Sequence, residues 1–365
     1  MSNIKFDANN ISPYCYKKLE EKQNCFSIIK NIKTDLLWGQ NYTKNFEISI
    51  VIPTYNRIQV LEEAIQSVLR QKVSFKWELI VIDNTPLDHN KMTPALKIVQ
   101  ALNNPSIKYY HNRQNIGSGY NWNRAVELAQ GKWITFLHDD DVLCSDALEN
   151  IYKIIMKPWH FEKPLGYIHA RNKGFTNTFD EKTIKFKRLP FHLELTRFTT
   201  LILGHTHTGM PTCGTTILKE AYVKAGGINY DFGPTADAVL GYLIMKDYTV
   251  LRSGMVLGGY RWVNNETLKI STIEKLIYSD SLFAQYRYGL TPFSKVWGKL
   301  FANAQMQDNI NAKLTLIKKY GAVEDCKISN FLIRKHVTPI LLYVYKIITL
   351  ICKVGMAIKG ILWLR

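Results

Sequence analysis

The chain has 365 residues, of which 46% are apolar and 21% charged, so it has the composition of an ordinary folded protein with a sizeable core. Its formal net charge of +17 favours an anionic partner: nucleic acid, an anionic membrane surface or phosphorylated substrates. Its six cysteines form no CxxC pair, which argues against a zinc knuckle and favours reduced thiols in a cytoplasmic compartment.

The first half of the chain is predicted to alternate between strands and helices. Residues 1–46 are polar and aromatic, and we expect an N-terminal extension there without a secretory signal. The predicted elements that follow are strand 48–52, helix 58–70, strand 78–82, helix 94–102, strand 107–110, a helix from 115 to about 130, and strand 133–137. This alternation predicts an α/β fold, with a mostly parallel, Rossmann-like sheet flanked by helices.

The second half alternates less regularly. Its predicted elements are helix 145–157, strand 166–170, strand 215–218, helix 219–225, helix 238–246, and strands 248–251 and 256–260. The basic residues are spread along the whole chain, and no nucleic-acid recognition motif accompanies them. We therefore expect no nucleic-acid partner.

Polar or turn-forming residues follow the predicted strands of the first half. They are Thr54-Tyr55-Asn56, Asp83-Asn84, Asn115 and Asp139-Asp140-Asp141. Open α/β sheets bind ligands at the carboxyl ends of their strands, so we expect these residues to converge on a ligand.

Three adjacent carboxylates, Asp139, Asp140 and Asp141, follow the apolar strand 133–137. Such neighbours raise one another's pKa values unless a cation or a proton relieves them. Carboxylate oxygens suit a hard divalent ion that bridges the protein to phosphate, such as Mg²⁺ or Mn²⁺. The alternatives are a solvated acidic turn and a helix cap at Asp141.

Four segments occur in order along the chain: Ser49-Ile-Val-Ile-Pro-Thr-Tyr-Asn-Arg57, Glu78-Leu-Ile-Val-Ile-Asp83, Asn115-Ile-Gly117 through Gly131-Lys-Trp-Ile134, and Phe136-Leu-His-Asp-Asp-Asp141. Together they resemble the family 2 glycosyltransferases of the GT-A fold, over roughly residues 47–265. The resemblance implies a hexosyltransferase that moves a sugar from a nucleotide diphosphate to an acceptor and inverts the anomeric centre.

The resemblance also implies roles for residues at the sheet edge. Asp83 would hydrogen-bond the base, usually uracil, because a carboxylate accepts from an imide N–H. Asn115 and Gly117 would let the backbone approach the nucleotide or diphosphate closely. Purely structural roles stay open, as a turn for Asp83 and a helix N-cap for Asn115 and Gly117. Four residues after the first strand would line the nucleotide pocket: Pro53, Thr54, Tyr55 and Asn56.

The acidic cluster corresponds to the family's Leu-Asp-x-Asp-Asp element. Aligned on Leu137, the first family aspartate is His138 and the second is Asp140. Asp140 is therefore the expected ligand of Mg²⁺ or Mn²⁺, while the ribose contact passes to Asp139 or is lost. The metal would neutralise charge on the departing nucleoside diphosphate.

An inverting transfer also needs a base for the acceptor hydroxyl. The segment 225–237 resembles the family's Gly-Gly-Phe followed by a Glu-Asp pair, so Asp237 is the expected base, with Ala236 in place of the glutamate. Asp231 is the competing carboxylate, and Asp237 could also cap the following helix. Arg261 matches an arginine of the family and would pair with diphosphate, with a surface ion pair as the alternative.

The tail, residues 331–365, is strongly apolar but is interrupted by Lys335, Lys346, Lys353 and Lys359. No uncharged run reaches the ~18 residues of a spanning helix. At ~100° per residue the first three lysines lie within about 20° of one another, which favours an amphipathic helix in the interface of an anionic membrane. A core helix packed on the catalytic domain is the alternative.

We therefore expect three regions: the extension 1–46, a GT-A domain 47–270 with a nucleotide-sugar half (47–142) and an acceptor half (143–270), and a helical region 271–365. The expected function is metal-dependent transfer from a nucleotide-diphosphate sugar, UDP-sugar favoured, to a glycan or lipid-linked acceptor in cell-surface polysaccharide synthesis. The expected location is peripheral, at the cytoplasmic face of the cell membrane. A nucleotidyltransferase and a catalytically inactive scaffold are the alternatives.

Overall fold

The computed structural model describes residues 16, 18–19, 21, 24–40, 45–89, 91–185, 187, 192–203, 213–263, 268–289, 295–321 and 337–362. The strands are β1 (Thr34–Trp38), β2 (Ile48–Thr54), β3 (Trp77–Asp83), β4 (Ile107–Asn112), β5 (Trp133–Phe136), β6 (Val142–Leu143), β7 (Leu165–Phe175), β8 (Leu193–Leu195), β9 (Thr215–Leu218) and β10 (Thr249–Arg261). The α-helices are α1 (Phe26–Ile29), α2 (Leu61–Leu69), α3 (Pro94–Leu102), α4 (Ser118–Leu128), α5 (Ala147–Met156), α6 (Arg197–Leu203), α7 (Lys219–Lys224), α8 (Ala236–Ile244), α9 (Ile270–Gly289), α10 (Lys295–Tyr320) and α11 (Pro339–Leu362).

The strands form one sheet in the order β1-β4-β3-β2-β5-β9-β7-β10-β6, with β8 also beside β10. Strands β4, β3, β2 and β5 are parallel and form its centre, and β7 and β10 are a second parallel pair. The remaining strands pair antiparallel. The predicted α/β fold with a parallel central sheet is confirmed.

Alternating side chains of the central strands enter two separate cores, because neighbouring residues of a strand point to opposite faces of the sheet. Ile50 and Ile52 of β2 pack with α2, α3 and α5 on one face. Val51 packs with α4, α7 and α8 on the other. Because both faces are covered, nearly every residue of β2, β3, β4 and β5 is buried, polar residues included.

Two predictions about strands are corrected by the structure. Residues 34–38 lie inside the predicted extension but form β1, which pairs with β4 at the sheet edge. The two predicted strands 248–251 and 256–260 are one strand, β10, whose register against β7 shifts between Arg252 and Val256. This irregularity interrupts the apolar pattern and makes one strand look like two.

The C-terminal helices pack on the sheet domain. Helix α9 begins at Ile270, next to the predicted domain boundary, and packs against α10 through Ile273, Ile277 and Ile310. Tyr16 ties α9 to the segment before α8, since its hydroxyl lies 3.0 Å from the Ser279 carbonyl and 2.9 Å from Thr235 Oγ1.

Candidate functional site

The ends of three neighbouring strands meet at one edge of the sheet. Thr54 and Asp83 are the last residues of β2 and β3 and pair in register. The Thr54 hydroxyl donates a 2.8 Å hydrogen bond to Oδ2 of Asp139, which follows β5. Residues from three predicted segments are thereby brought into one place.

Asp83 is fully buried beneath this edge. Its Oδ2 accepts from the Tyr109 hydroxyl at 2.6 Å, and its Oδ1 accepts from the Thr85 backbone N–H at 2.7 Å. Burial raises the pKa of Tyr109, and the adjacent Asp83 charge adds to the rise, so the phenol stays a donor. These two bonds fix the orientation of the carboxylate, and each oxygen retains a further lone pair. The base-binding role of Asp83 stays a prediction.

The end of β2 and the loop that follows it carry the other predicted pocket residues, so Pro53 and Thr54 belong to the strand rather than following it. Pro53 lies within β2, and the side chain of Tyr55 is about half exposed at 48%. Asn56 has a positive φ of 51°, a conformation that asparagine tolerates better than most residues. Its backbone N–H donates to the Thr85 hydroxyl at 2.8 Å, which holds the loop against β3.

Asn115 and Gly117 form the turn into α4. The Asn115 side chain accepts from the Gly117 backbone N–H at 2.9 Å, and Gly117 has a φ of 79° that disfavours any side chain. A Cβ at Gly117 would meet no atom within 4 Å, so the backbone borders open space. The Asn84 amide donates to the Gly117 carbonyl at 3.2 Å and ties this turn to the end of β3.

The guanidinium of Arg57 offsets part of the negative charge of the acidic turn after β5. One nitrogen of Arg57 lies 3.3 Å from Asp139 and 2.5 Å from Asp140. No role was predicted for Arg57, although the charge repulsion expected at this turn calls for a cation. Arg57 follows the predicted pocket segment directly, which was the available signal.

The buried environment shifts the protonation of this turn. Burial raises the pKa of Asp139 to about 6, while the Arg57 guanidinium and the Thr54 hydroxyl oppose the rise. Burial also raises the pKa of Asp141 well above its usual range. It lowers the pKa of His138, whose ring meets the Trp122 ring edge-on at 5.4 Å. His138 is thus a neutral ring in an aromatic contact, at the position of the family's first aspartate.

Arg261, at the end of β10, holds the acidic turn in place through several hydrogen bonds. Its Nε donates to the Asp140 carbonyl at 2.7 Å, its backbone N–H donates to Asp141 Oδ1 at 2.9 Å, and a third bond reaches Glu63. Its remaining nitrogen donates to two carbonyls of the segment after β7. Because the residue is only 6% exposed and these nitrogens have partners, a diphosphate would have to displace one of them. The predicted diphosphate contact stays a prediction.

Replacing Arg261 with Gln should lower the free energy of unfolding by about 2–4 kcal/mol, since it leaves buried carbonyls unpaired. Urea denaturation measures this effect. Arg113→Gln is the matched control, because its ion pair with Asp35 lies at the surface and should contribute little. Equal stability of the two variants, together with lost donor affinity in Arg261→Gln, would favour a diphosphate contact over a structural role of Arg261 in holding the acidic turn.

Asp237 is the second residue of α8, so the cap position is Thr235 rather than Asp237. Its Oδ1 accepts from the Ala238 backbone N–H at 2.7 Å. Just before α8, the Tyr230 hydroxyl lies 2.6 Å from the hydroxyl of Ser118, the first residue of α4. The segment that leads to Asp237 is therefore joined to the Gly117 turn.

Charged residues of the C-terminal helices lie near Asp237. Burial raises the pKa of Asp280 to about 6; Arg287 and Lys313 oppose the rise, and Asp237 adds to it. Asp280 Oδ2 accepts from the Asn309 amide, while its Oδ1 is buried without a described hydrogen-bond partner. Asp280 and Asn309 lie inside long helices without a motif, so the sequence did not single them out.

The donor set of the acidic turn fits a divalent cation. Two carboxylates, Asp139 and Asp140, already converge on one positive charge, the Arg57 guanidinium. Mg²⁺ is commonly held by one or two carboxylates together with substrate phosphates and waters. Among the described residues no group of three or more His, Cys, Asp or Glu side chains could hold a metal by itself. A divalent cation at this turn would therefore need further ligands from a substrate phosphate or from water.

Known proteins resemble this chain in sequence and in fold. Residues 49–210 match the sequence model of Glycosyl transferase family 2. WcaA of Escherichia coli K12, named for a glycosyl transferase of colanic acid biosynthesis, is 45% identical over 94 residues, which are 26% of this chain and 32% of WcaA. The GalNAc(5)-diNAcBac-PP-undecaprenol beta-1,3-glucosyltransferase of Campylobacter jejuni is 39% identical over 110 residues, 29% of this chain and 33% of that protein. The chain thus spans about a third of the length of these relatives.

The mannosyltransferase PcManGT from Pyrobaculum calidifontis shares the fold with a TM-score of 0.51 at 16% identity. The alignment covers 98% of this chain and 95% of PcManGT. The similarity therefore includes the helices that follow the family region.

Proposed function

Because residues 49–210 of this chain are a family 2 glycosyl transferase domain in a GT-A type α/β fold, we propose that the protein transfers a sugar from a nucleotide-diphosphate donor to a glycan acceptor. The single observation that carries the proposal is the contact of Thr54, Arg57 and the carboxylates Asp139 and Asp140 at the edge that also holds Asp83.

The donor is proposed to bind across this edge. Asp83, oriented by Tyr109 and Thr85, accepts from the base, which favours a UDP-sugar. The segment 53–56 borders the nucleotide, and the backbone of the Gly117 turn is not covered by a side chain. WcaA and the Campylobacter relative both carry names of sugar-transferring enzymes, which supports this donor class.

Asp140, assisted by Asp139, is proposed to hold Mg²⁺ or Mn²⁺ at the diphosphate. A bound divalent ion would stabilise, as a Lewis acid, the negative charge of the leaving nucleoside diphosphate. PcManGT was solved with GDP-Man and Mn²⁺, which is consistent with this assignment. Arg57 contacts the same carboxylates and keeps the turn ordered.

Asp237 is proposed to be the general base of an inverting transfer. The acceptor hydroxyl oxygen forms a bond to the anomeric carbon while its proton passes to the Asp237 carboxylate. The bond from the anomeric carbon to the diphosphate oxygen breaks, and the electron pair leaves with the nucleoside diphosphate. The bond of Asp237 to the Ala238 N–H fixes one carboxylate oxygen.

The acceptor is proposed to be a lipid-linked glycan at the cytoplasmic face of the cell membrane, in cell-surface polysaccharide synthesis. Asn309 contacts Asp280 near the proposed base, and its neighbour Asp308 lies 3.8 Å from Lys346 of the apolar helix α11. A single helix, α10, thus lies between the surroundings of the proposed base and α11. The Campylobacter relative is named for a substrate on undecaprenol diphosphate.

A panel of UDP-, GDP- and TDP-sugars tests the proposal through release of the nucleoside diphosphate. We expect turnover with at least one donor in Mn²⁺ or Mg²⁺ and its loss in EDTA. Full turnover in EDTA would remove the metal from the proposal. No binding or turnover of any nucleotide sugar, with or without metal, would contradict the donor class itself.

A further inference from the structure

One side of α11 is packed onto the protein. Tyr345 and Met356 are buried, and Cys352 is partly buried on the same side of the helix. The Tyr345 hydroxyl donates to the Ile202 carbonyl of α6 at 3.1 Å, and its ring lies 6.4 Å from that of Phe301 on α10. These contacts anchor the helix along its length.

The opposite side of α11 is apolar and exposed. At about 100° per residue, its large exposed side chains fall within an arc of about 120° opposite Tyr345. They are between 40% and 77% exposed: Ile340, Tyr343, Val344, Ile347, Leu350, Ile351, Val354 and Ile358. We call these eight residues the apolar face. So many adjacent large apolar side chains on one exposed surface indicate an interaction site.

Lysines border the apolar face, and two of them pair with acidic residues of the protein. Lys346 lies 3.8 Å from Asp308 of α10, and Lys359 lies 2.7 Å from Glu194 of β8. Both lysine side chains remain more than half exposed, and Lys353 is also exposed. Basic residues beside an apolar helix face are typical of helices that lie in an anionic lipid surface.

A spanning arrangement fits these contacts poorly. Residues Pro339–Lys359 are long and apolar enough to cross a membrane by length and composition. A crossing helix would, however, have to give up the Tyr345 and Lys359 contacts with α6 and β8 and expose its lysines to lipid. A second copy is also disfavoured, because symmetric pairing of two such faces would bring their bordering lysines together.

We propose that α11 is half-embedded: its apolar face enters one leaflet of an anionic membrane, its lysines meet the headgroups, and its Tyr345 side stays on the protein. The two alternatives of the sequence analysis, an interfacial helix and a helix packed on the domain, then describe opposite sides of one helix. The proposal refines the membrane location in the proposed function, yet membrane binding through α11 requires no transfer reaction.

Co-sedimentation with phosphatidylcholine vesicles that contain about one quarter phosphatidylglycerol tests whether the apolar face binds an anionic membrane. The double variant Ile347→Asp/Ile351→Asp should bind at least about tenfold more weakly, because both side chains would leave the lipid. Met156→Asp/Val223→Asp is the matched control, since it adds the same two charges at exposed apolar positions of α5 and α7. Unchanged vesicle binding by the double variant would overturn the proposal.

Two further measurements distinguish the half-embedded helix from a spanning helix and from a second copy of the chain. In membranes of cells that produce the protein, we expect alkaline carbonate to release it, whereas resistance to carbonate would indicate a spanning helix and overturn the half-embedded arrangement. By size-exclusion chromatography without lipid, the double variant and the parent should elute alike. A dimeric parent and a monomeric variant would assign the face to self-association. Neither result depends on whether a nucleotide sugar binds.

Discussion

Asp140→Asn is expected to lower turnover by about two to three orders of magnitude, the size seen when a preorganised electrostatic contact to a reacting group is lost. Asparagine keeps the shape of the side chain but removes the charge that a divalent cation needs. The remaining activity should require more Mn²⁺ than the parent does. Initial rates over a Mn²⁺ titration measure both effects.

Glu149→Gln is the control for Asp140→Asn. It removes the same charge from α5, where Glu149 pairs with Lys153 at the surface, and should leave the rate unchanged. If Asp140→Asn keeps the parent rate and the parent Mn²⁺ dependence, Asp140 does not hold the metal. Circular dichroism of both variants checks that the fold is retained.

Asp237→Asn is expected to lower kcat by about two to four orders of magnitude while the donor KM stays near the parent value, because only the base is removed. The amide retains an oxygen that can accept from the Ala238 N–H, so the start of α8 should stay in place. Single-turnover transfer and donor binding, measured side by side, separate a lost base from a lost fold.

Asp231→Asn is the matched control for Asp237→Asn. Asp231 is exposed in the segment before α8 and was the competing carboxylate in the sequence. It should retain turnover. A large loss in Asp231→Asn with parent-like activity in Asp237→Asn would exchange the two roles.

The central strands of the sheet could be predicted from local sequence pattern, whereas the edge strand β1 could not. The apolar runs of β2 and β3, each ending in a polar residue, are local signals and predicted both strands to within two residues at either end. β1 carries no such pattern, because Thr34–Trp38 lies on the edge, where only pairing with β4 makes it a strand. Edge strands depend on a partner distant in sequence, which single-sequence patterns do not encode.

The residues of the candidate site also divide into those that the sequence singled out and those whose contacts only the fold reveals. The resemblance singled out Thr54 and Asp139, and the structure joins them directly. Arg57 was passed over because its partners lie more than eighty residues away. Arg261 was matched to a family arginine, yet its partners come from three separate segments that only the fold brings together.

We expect a divalent cation and the carboxylate of Asp140 together to hold a nucleotide sugar at the edge formed by β2, β3 and β5. Equilibrium dialysis with a labelled donor tests it most directly, with three samples: the parent in Mn²⁺, the parent in EDTA, and Asp140→Asn in Mn²⁺. We expect donor retention in the first sample and at least about tenfold weaker retention in the other two. Equal retention in all three, or none in the parent with Mn²⁺ for any donor of the panel, would contradict the account.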